Sequence, residues 1–471
     1  MKVMAYLDLK ILKYSLILPL LASIFLYTGC ATTRLMVKSD VIETTQSDSL
    51  SKDFALDHYL TGSVHEESDE LYEAAVEYQL ALIYNPVEPA VIVALAEVYL
   101  KLGEFDAALR TLENGRKAGV IDEELLKMLA SFYLQRGMAE PAISCYRDLE
   151  KIRPLEELEI LRMAALLGSL EKYDDALKLY SEYIDRYGEN TEIYYKIGLT
   201  YLNLKNIDGA REAFEKLVQL DPAAHRVLFV LGGFAVSKLD WQTAEVYFQQ
   251  ALYADSSDIR YWTNLLMVLD QLDKTDEVLQ VSEAAITQFH DFPPFYDMTG
   301  GALEKLKRYD EALDMFEKSH ELDTTRVAPL LSIGYIHHTL EEWDKAAEAY
   351  DGALRINPEH AMVLNNYAYM LSVQNYRLED ALAMSEHALA LEPETSSFLD
   401  TRGWIYYRMG RYEDALKDVN AALKKGKGNP ELYEHLGYIY LALGKSSKSS
   451  EAWKKALELD PDNEKYARLV K

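Results

Sequence analysis

Four places in this 471-residue chain carry residue types that could do chemistry. Two are the cysteines, Cys30 and Cys145, since a thiolate can act as nucleophile, metal ligand or attachment point. Cys145 stands beside Tyr146 inside a helical apolar period, where a buried, inert thiol is expected. The third place is His337-His338, the one adjacent pair among ten histidines. A helical zinc site sets its histidines one turn apart, as in H-E-x-x-H, and that spacing is absent from the sequence. The fourth is Gly444-Lys445-Ser446, which could end a phosphate loop. Gly437 lies too far upstream for that loop, and no strand pattern precedes it. Asp and Glu number 77, so carboxylate pairs on one helix face carry no signal. No catalytic, metal or cofactor site is expected, and the chain is not expected to be an enzyme.

Cys30 differs through its neighbours. Residues 1–13 carry Lys2, Lys10 and Lys13 against Asp8. The apolar run Tyr14 to Gly29, with Pro19 inside it, falls short of the roughly 20 residues that cross a bilayer as a helix. A positive head, a short apolar stretch and a small-residue end predict a secretory signal over 1–29. Its end, Leu26-Tyr27-Thr28-Gly29-Cys30, resembles the lipobox of bacterial lipoproteins, departing from it at Tyr27, where that family usually has Leu. The resemblance implies cleavage before Cys30, a diacylglycerol on its sulfur and acylation of the new amino group. Several chains on one residue anchor stably where a single chain binds marginally. By the same resemblance the non-acidic Ala31 implies the outer membrane, and the lack of an acidic cluster beside Cys30 implies its periplasmic face.

Charge limits the partners. Asp plus Glu exceed Lys plus Arg by 77 to 49, a net charge of -28, which becomes -30 once three Lys and one Asp leave with residues 1–29. No nucleic-acid partner is expected, because such binders carry a basic face. Wrapping on an anionic membrane surface is disfavoured too. With 2 Cys the chain can hold neither a disulfide-stapled fold nor a four-cysteine metal site. After Cys30, residues 31–54 are rich in Ser, Thr and Asp without a sustained apolar period, so 30–54 is expected to be a flexible tether.

The elements that must position everything else repeat. Ala74, Ala108, Ala142, Ala176, Ala210 and Ala244 are each 34 residues apart; Val278, Ala312 and Ala346 continue, and after one inserted residue Ala381, Ala415 and Ser449 finish the series. A second series of mostly small residues runs twelve positions earlier, from Gly62 through Gly198, Gly232 and Gly334 to Gly437. A third is large and mostly aromatic: Tyr78, Tyr146, Phe214, Phe248, Tyr350 and Trp453 among its members. Apolar residues at spacings of three and four make both halves of each unit amphipathic helices. Small residues let two helices approach, and the rings are expected to fill the gap to the next unit. Gly103, Gly137, Gly410 and Gly444 fall between the helices and suit C-caps. This small/aromatic/Ala/Pro pattern over residues 55–463 resembles the tetratricopeptide repeat. The resemblance implies an all-α fold, a right-handed superhelical solenoid of about twelve helix–turn–helix repeats, with 464–471 as a short capping stub. Unit 259–292 is the most divergent, with Leu266, Val278 and Ser282, so a bend near 285–295 is expected to divide a 55–290 array from a 293–471 array.

In that family the first helices line a concave groove at the second, fifth, ninth and twelfth positions of each unit. The residues implied as partner-binding are Tyr335, His338, Asn365, Tyr369, Trp404, Tyr407 and Tyr438, with Asp400 and Glu434 among them. Earlier units contribute Tyr195, Arg226, Phe229, Arg260 and Asp270. Rings among carboxylates suit an extended or helical peptide with apolar and basic side chains. The Lys and Asn constellation with which chaperone-binding repeats hold an acidic tail is absent. The expected function is a non-catalytic scaffold for proteins or peptides of the cell envelope, held at the membrane through Cys30 and supporting assembly or export. The alternatives are a soluble peptide- or glycan-capturing module and an accessory subunit of an envelope hydrolase.

Overall fold

A computed structural model describes residues 36–470 apart from 427, with side chains from residue 50 onward. The expected signal over 1–29, Cys30 and residues 31–35 of the expected tether lie outside the described residues. Within them are twenty-five helices and no strand. The starts expected from the 34-residue spacing coincide with helix starts: Pro89–Lys101, Glu123–Gln135 and Glu157–Ser169 open three early repeats, and Ala361–Val373, Ser396–Arg408 and Pro430–Ala442 the last three. Sequence-coded caps fix these starts. Asp122, Asn190 and Asn429 accept backbone N–H groups from Leu125, Ile193 and Leu432 at 3.0, 2.9 and 2.7 Å. Pro89, Pro293 and Pro430 stand in the first turn, where a missing N–H costs nothing.

The small–large series proves to be an intra-repeat fit. A Cβ added to Gly334 would meet the Tyr350 ring at 2.5 Å, and one on Gly437 would meet Trp453 at 2.1 Å. Gly62, Gly198, Gly232 and Gly300 face Tyr78, Phe214, Phe248 and Phe316 in the same way. The rings therefore sit on the small residue of their own repeat and also reach the next unit, as the sequence suggested: Tyr350 packs on Tyr367 at 5.5 Å, and Tyr78 joins Val91 and Leu95 in one core cluster. The divergent repeat exchanges the two sizes: Leu266 is fully buried in the slot of the small residue, and the small Ser282 in the slot of the ring. The Ser282 hydroxyl donates to the Leu279 carbonyl at 3.1 Å and accepts from Thr299 at 2.8 Å. The alanine series is buried throughout, with Val278 the most exposed at 5%.

Each repeat turns between its helices through one left-handed residue. Gly103, Gly137, Gly410 and Gly444 take φ of 75°, 68°, 77° and 72°, as their C-cap role requires. The same slot holds Glu171, Lys205, Leu239, Asp273, Lys307, Glu341 and Asn375, all with φ between 54° and 60°. The residue after Gly103 closes the turn, Glu104 N–H donating to the Tyr99 carbonyl at 2.8 Å. The fold imposes this conformation whether or not the residue favours it.

Two compact units divide the chain, one ending at Asp221 and the other running Pro222–Lys471. In the first, Met36–Glu67 is a single helix, so residues 36–54, expected as flexible tether, are helical. Phe54 and His58 stack on Tyr84 at 5.4 and 5.6 Å, and the Ser51 hydroxyl donates to the Tyr84 carbonyl, which ties that helix to the Leu71–Tyr84 helix. The segment expected to bend, 285–295, lies inside the second unit. There Phe292 and Phe289 pack on the fully buried Phe295 at 4.9 and 6.0 Å.

Candidate functional site on the last repeats

Four first helices, Val327–Thr339, Ala361–Val373, Ser396–Arg408 and Pro430–Ala442, build the site in the second unit. Residues four apart share a helix face, so Asn365 with Tyr369, Asp400 with Trp404, and Glu431 with His435 project in pairs. Neighbouring repeats bring these pairs together. The His435 ring is stacked on Trp404 at 4.1 Å with 16° between planes, and Trp404 on Tyr407 at 4.7 Å. Tyr438 continues the ridge, 6.3 Å from Tyr407 and edge-on to Trp453 at 5.5 Å. In the other direction Tyr369 lies 6.2 Å from His435 and 5.8 Å from His338, whose ring also approaches Trp343.

Charge is threaded through this ring chain. His435 Nδ1 donates to Asp400 at 3.0 Å, with the imidazole nearly fully buried. Burial pulls the His435 pKa down, but Asp400, Glu431 and Glu434 outweigh it and leave the pKa raised. The Tyr369 phenol donates to Glu431, two repeats away. Burial first, then the Glu431 carboxylate, hold that phenol far above its usual range. Burial also lowers the His338 pKa. Glu434, 6% exposed, is paired with Lys465 at 2.5 Å. The Tyr369–Glu431 bond spans the intervening repeat.

Beside the ridge opens a cleft of 620 Å³ walled by Tyr335, Asn365, Tyr369, Asp400 and Glu431, with hydroxyl and amide groups between them. Tyr335 stands on its rim, 45% exposed. Asn365 is only 5% exposed; its Nδ2 donates to Asn366 at 3.3 Å, and its buried Oδ1 has no donor. Of the seven residues the sequence singled out, Tyr335, Asn365 and Tyr369 line the cleft. Trp404, Tyr407 and Tyr438 form the adjoining ridge, and His338 packs against Tyr369. Two residues were missed. Glu431 occupies the second position of its repeat, which the groove register already marked. His435 occupies the sixth, a position that faces the preceding repeat, shared by Asn366 and Thr401 on the cleft wall.

The earlier positions have other occupations. Phe229 packs between Phe248 and Tyr261 at 5.6 and 5.2 Å, Arg260 pairs with Asp258 at 2.5 Å, and Asp270 with Lys305 at 2.6 Å. Tyr195, in the first unit, is 46% exposed. Cys145 is fully buried beside the Arg116 guanidinium at 3.4 Å, and burial pushes its thiol up to about 11. Among the described residues no group of three or more His, Cys, Asp or Glu is arranged to hold a metal. No described helix is long and apolar enough to cross a membrane.

Tetratricopeptide-repeat family models match residues 91–115, 161–225, 195–259, 328–360 and 401–464. A TPR repeat-containing protein of Methanocaldococcus jannaschii is 22% identical over 84% of this chain and 72% of its own length. The Hsp70-Hsp90 organizing protein of Triticum aestivum is 24% identical over 46% of this chain, and the anaphase-promoting complex subunit CDC16 of Saccharomyces cerevisiae 24% over 74%. The chain spans less than half the length of these last two relatives, 44% and 47%. Among solved structures, a tetratricopeptide repeat protein from Parabacteroides merdae is 17% identical, with a TM-score of 0.45 over 52% of this chain and 97% of its own. The 34-residue helical pairs, their glycine–ring fit and the matched segments agree: this chain carries tetratricopeptide repeats.

Proposed function

We propose that this protein is a non-catalytic scaffold of the cell envelope that takes a segment of a partner protein in the cleft of its last four repeats. The observation that carries the reading is the buried Asn365 Oδ1, an acceptor without a donor in the wall of an open cleft. A buried acceptor left unpaired costs about 1–3 kcal/mol, and a partner that donates to it recovers that cost on binding. Two relatives point the same way by name, one an organizer of two chaperones and the other a subunit of a complex. The lipobox-like Leu26–Cys30 supports anchorage through acyl chains on Cys30, at the periplasmic face of an outer membrane, with the repeats serving assembly or export there.

Both parts are testable. Expression with labelled palmitate followed by membrane fractionation should give a labelled, membrane-bound protein, and Cys30→Ala should be unlabelled and released. A Cys30→Ala variant that still sediments with membranes would remove the anchor from the reading. Crosslinked affinity capture should enrich an envelope protein that a Tyr335→Ala/Glu431→Gln variant no longer retains. Capture indifferent to that variant would move the partner off this face.

A further inference from the structure

The chemistry of the cleft wall specifies more than a generic peptide groove. Among the described residues its charged groups are Asp400 and Glu431, and no Lys or Arg lines it. Asp400 has His435 as its partner. Glu431 takes a phenol hydrogen bond from Tyr369, and among the described residues no cation pairs with it. Asn365, nineteen-twentieths buried, adds a carbonyl oxygen with nothing donating to it. Two carboxylates thus border one cavity whose wall also holds Asn365 with its unpartnered Oδ1, and among the described residues no cation neutralises Glu431. Two phenol rings, Tyr335 and Tyr369, border the same space. Donors without acceptor capacity, carried on an apolar stem, match such a wall: the ammonium of Lys or the guanidinium of Arg.

We propose that this cleft recognises a cationic side chain, Lys or Arg, on an extended partner segment. The Asn365 carbonyl, Asp400 and Glu431 accept its N–H groups, and the rings of Tyr335 and Tyr369 flank its stem. The proposal rests on the scaffold reading above and gives it a partner chemistry. A basic segment also suits a chain of net charge -28, because long-range attraction raises its encounter rate.

The test uses the full chain, solubilised with its anchor, and fluorescein-labelled capped nonapeptides of Gly and Ser with one central Arg, Lys, citrulline or Glu, read by anisotropy. The Arg or Lys peptide should bind at least about tenfold tighter than the citrulline peptide, and Glu431→Gln should weaken it about tenfold, the loss of one charge-assisted hydrogen bond. Asn365→Leu should weaken it similarly. Glu431 is exposed, so its substitution leaves folding intact and keeps the test valid should the Asn365 variant unfold. Equal binding of the citrulline or Glu peptide, competition by chitotetraose, or indifference to Glu431→Gln would overturn the cation assignment. If those results coincide with partner capture that still depends on Tyr335, the scaffold reading stands and only the cation falls. If capture is also indifferent to Tyr335→Ala, both fall.

Discussion

Arginine networks that close between repeats in the first unit contrast with the open network on the last repeats of the second, although closed pairs such as Arg326–Asp297 and Lys305–Asp270 occur in the second unit too. In the first, Arg116 of the Phe105–Lys117 helix reaches the Ala139–Glu150 helix of the next repeat, where Asp148 and Ser144 accept its N–H groups. Arg153 bridges Glu123 at 2.9 Å and Glu159 at 2.8 Å, and Glu159 in turn accepts from the Glu156 N–H at 2.7 Å. These arginines are about one-fifth exposed, and each carboxylate they meet is neutralised. In the second unit the last repeats send His435, Tyr369 and Glu431 across repeat boundaries on the first helices, and there the acceptors outnumber the donors. Closed networks fasten repeats together. An open one, with Asn365 Oδ1 lacking a donor and, among the described residues, no cation on Glu431, leaves hydrogen-bonding capacity for the partner proposed above.

Substitutions can separate these roles. The largest effect is expected at Arg153→Ala, which leaves the buried Glu159 without its cation and should lower stability by about 3 kcal/mol. The urea midpoint should fall while partner capture is unchanged; lost capture in a folded protein would show that the first unit also recognises. Gly334→Ala comes next, at about 2 kcal/mol, because its Cβ would stand 2.5 Å from the Tyr350 ring. Combining it with Tyr350→Leu should restore part of that loss, as the Leu266/Ser282 exchange does naturally; an additive loss would refute the paired fit.

The third prediction concerns pH. His435 has a folded pKa raised above its ordinary value of about 6.5. Its pairing with Asp400 therefore stabilises fully below that ordinary value, and the contribution is lost as pH rises through the raised one. The melting-temperature gap between the native chain and Asp400→Asn should shrink as pH climbs from about 5.5 to about 9. A gap that grows with pH would contradict the pairing. The smallest effect is expected at Leu239→Gly. Leu239 is 70% exposed with φ of 58°, so glycine relieves left-handed strain at the cost of chain entropy. A net gain of about 0.5 kcal/mol in thermal unfolding follows.

Much of this was legible in the spacing of residues. The 34-residue alanine series located repeat starts at Pro89, Glu123 and Pro430, because a solenoid reuses one helix–helix contact and each contact demands the same small residue. The helix over 36–54 was not legible, since its residues are polar and aperiodic and what ties it down is the distant Tyr84. The left-handed slot could be read where Gly103 or Gly410 marks it, but not at Leu239, where the tertiary turn overrides preference. In the cleft, Asn365 and Tyr369 were reachable from the groove register, as was the overlooked Glu431. His435 was not, because the sixth position earns its place by contact with the preceding repeat. The Tyr369–Glu431 bond joins residues 62 apart, and its formation depends on how the repeats curve, which no local pattern encodes.

The central claim is that recognition resides in the open acceptors of the second unit. Its most direct test is parallel crosslinked capture with two surface variants of the full chain. One is Tyr335→Ala/Glu431→Gln on the cleft. The other is Tyr195→Ala/Leu199→Ser in the first unit, where both side chains are comparably exposed. The cleft variant should lose the captured partner protein while the first-unit variant keeps it. Loss from the first-unit variant alone, with the cleft variant binding normally, would contradict the account.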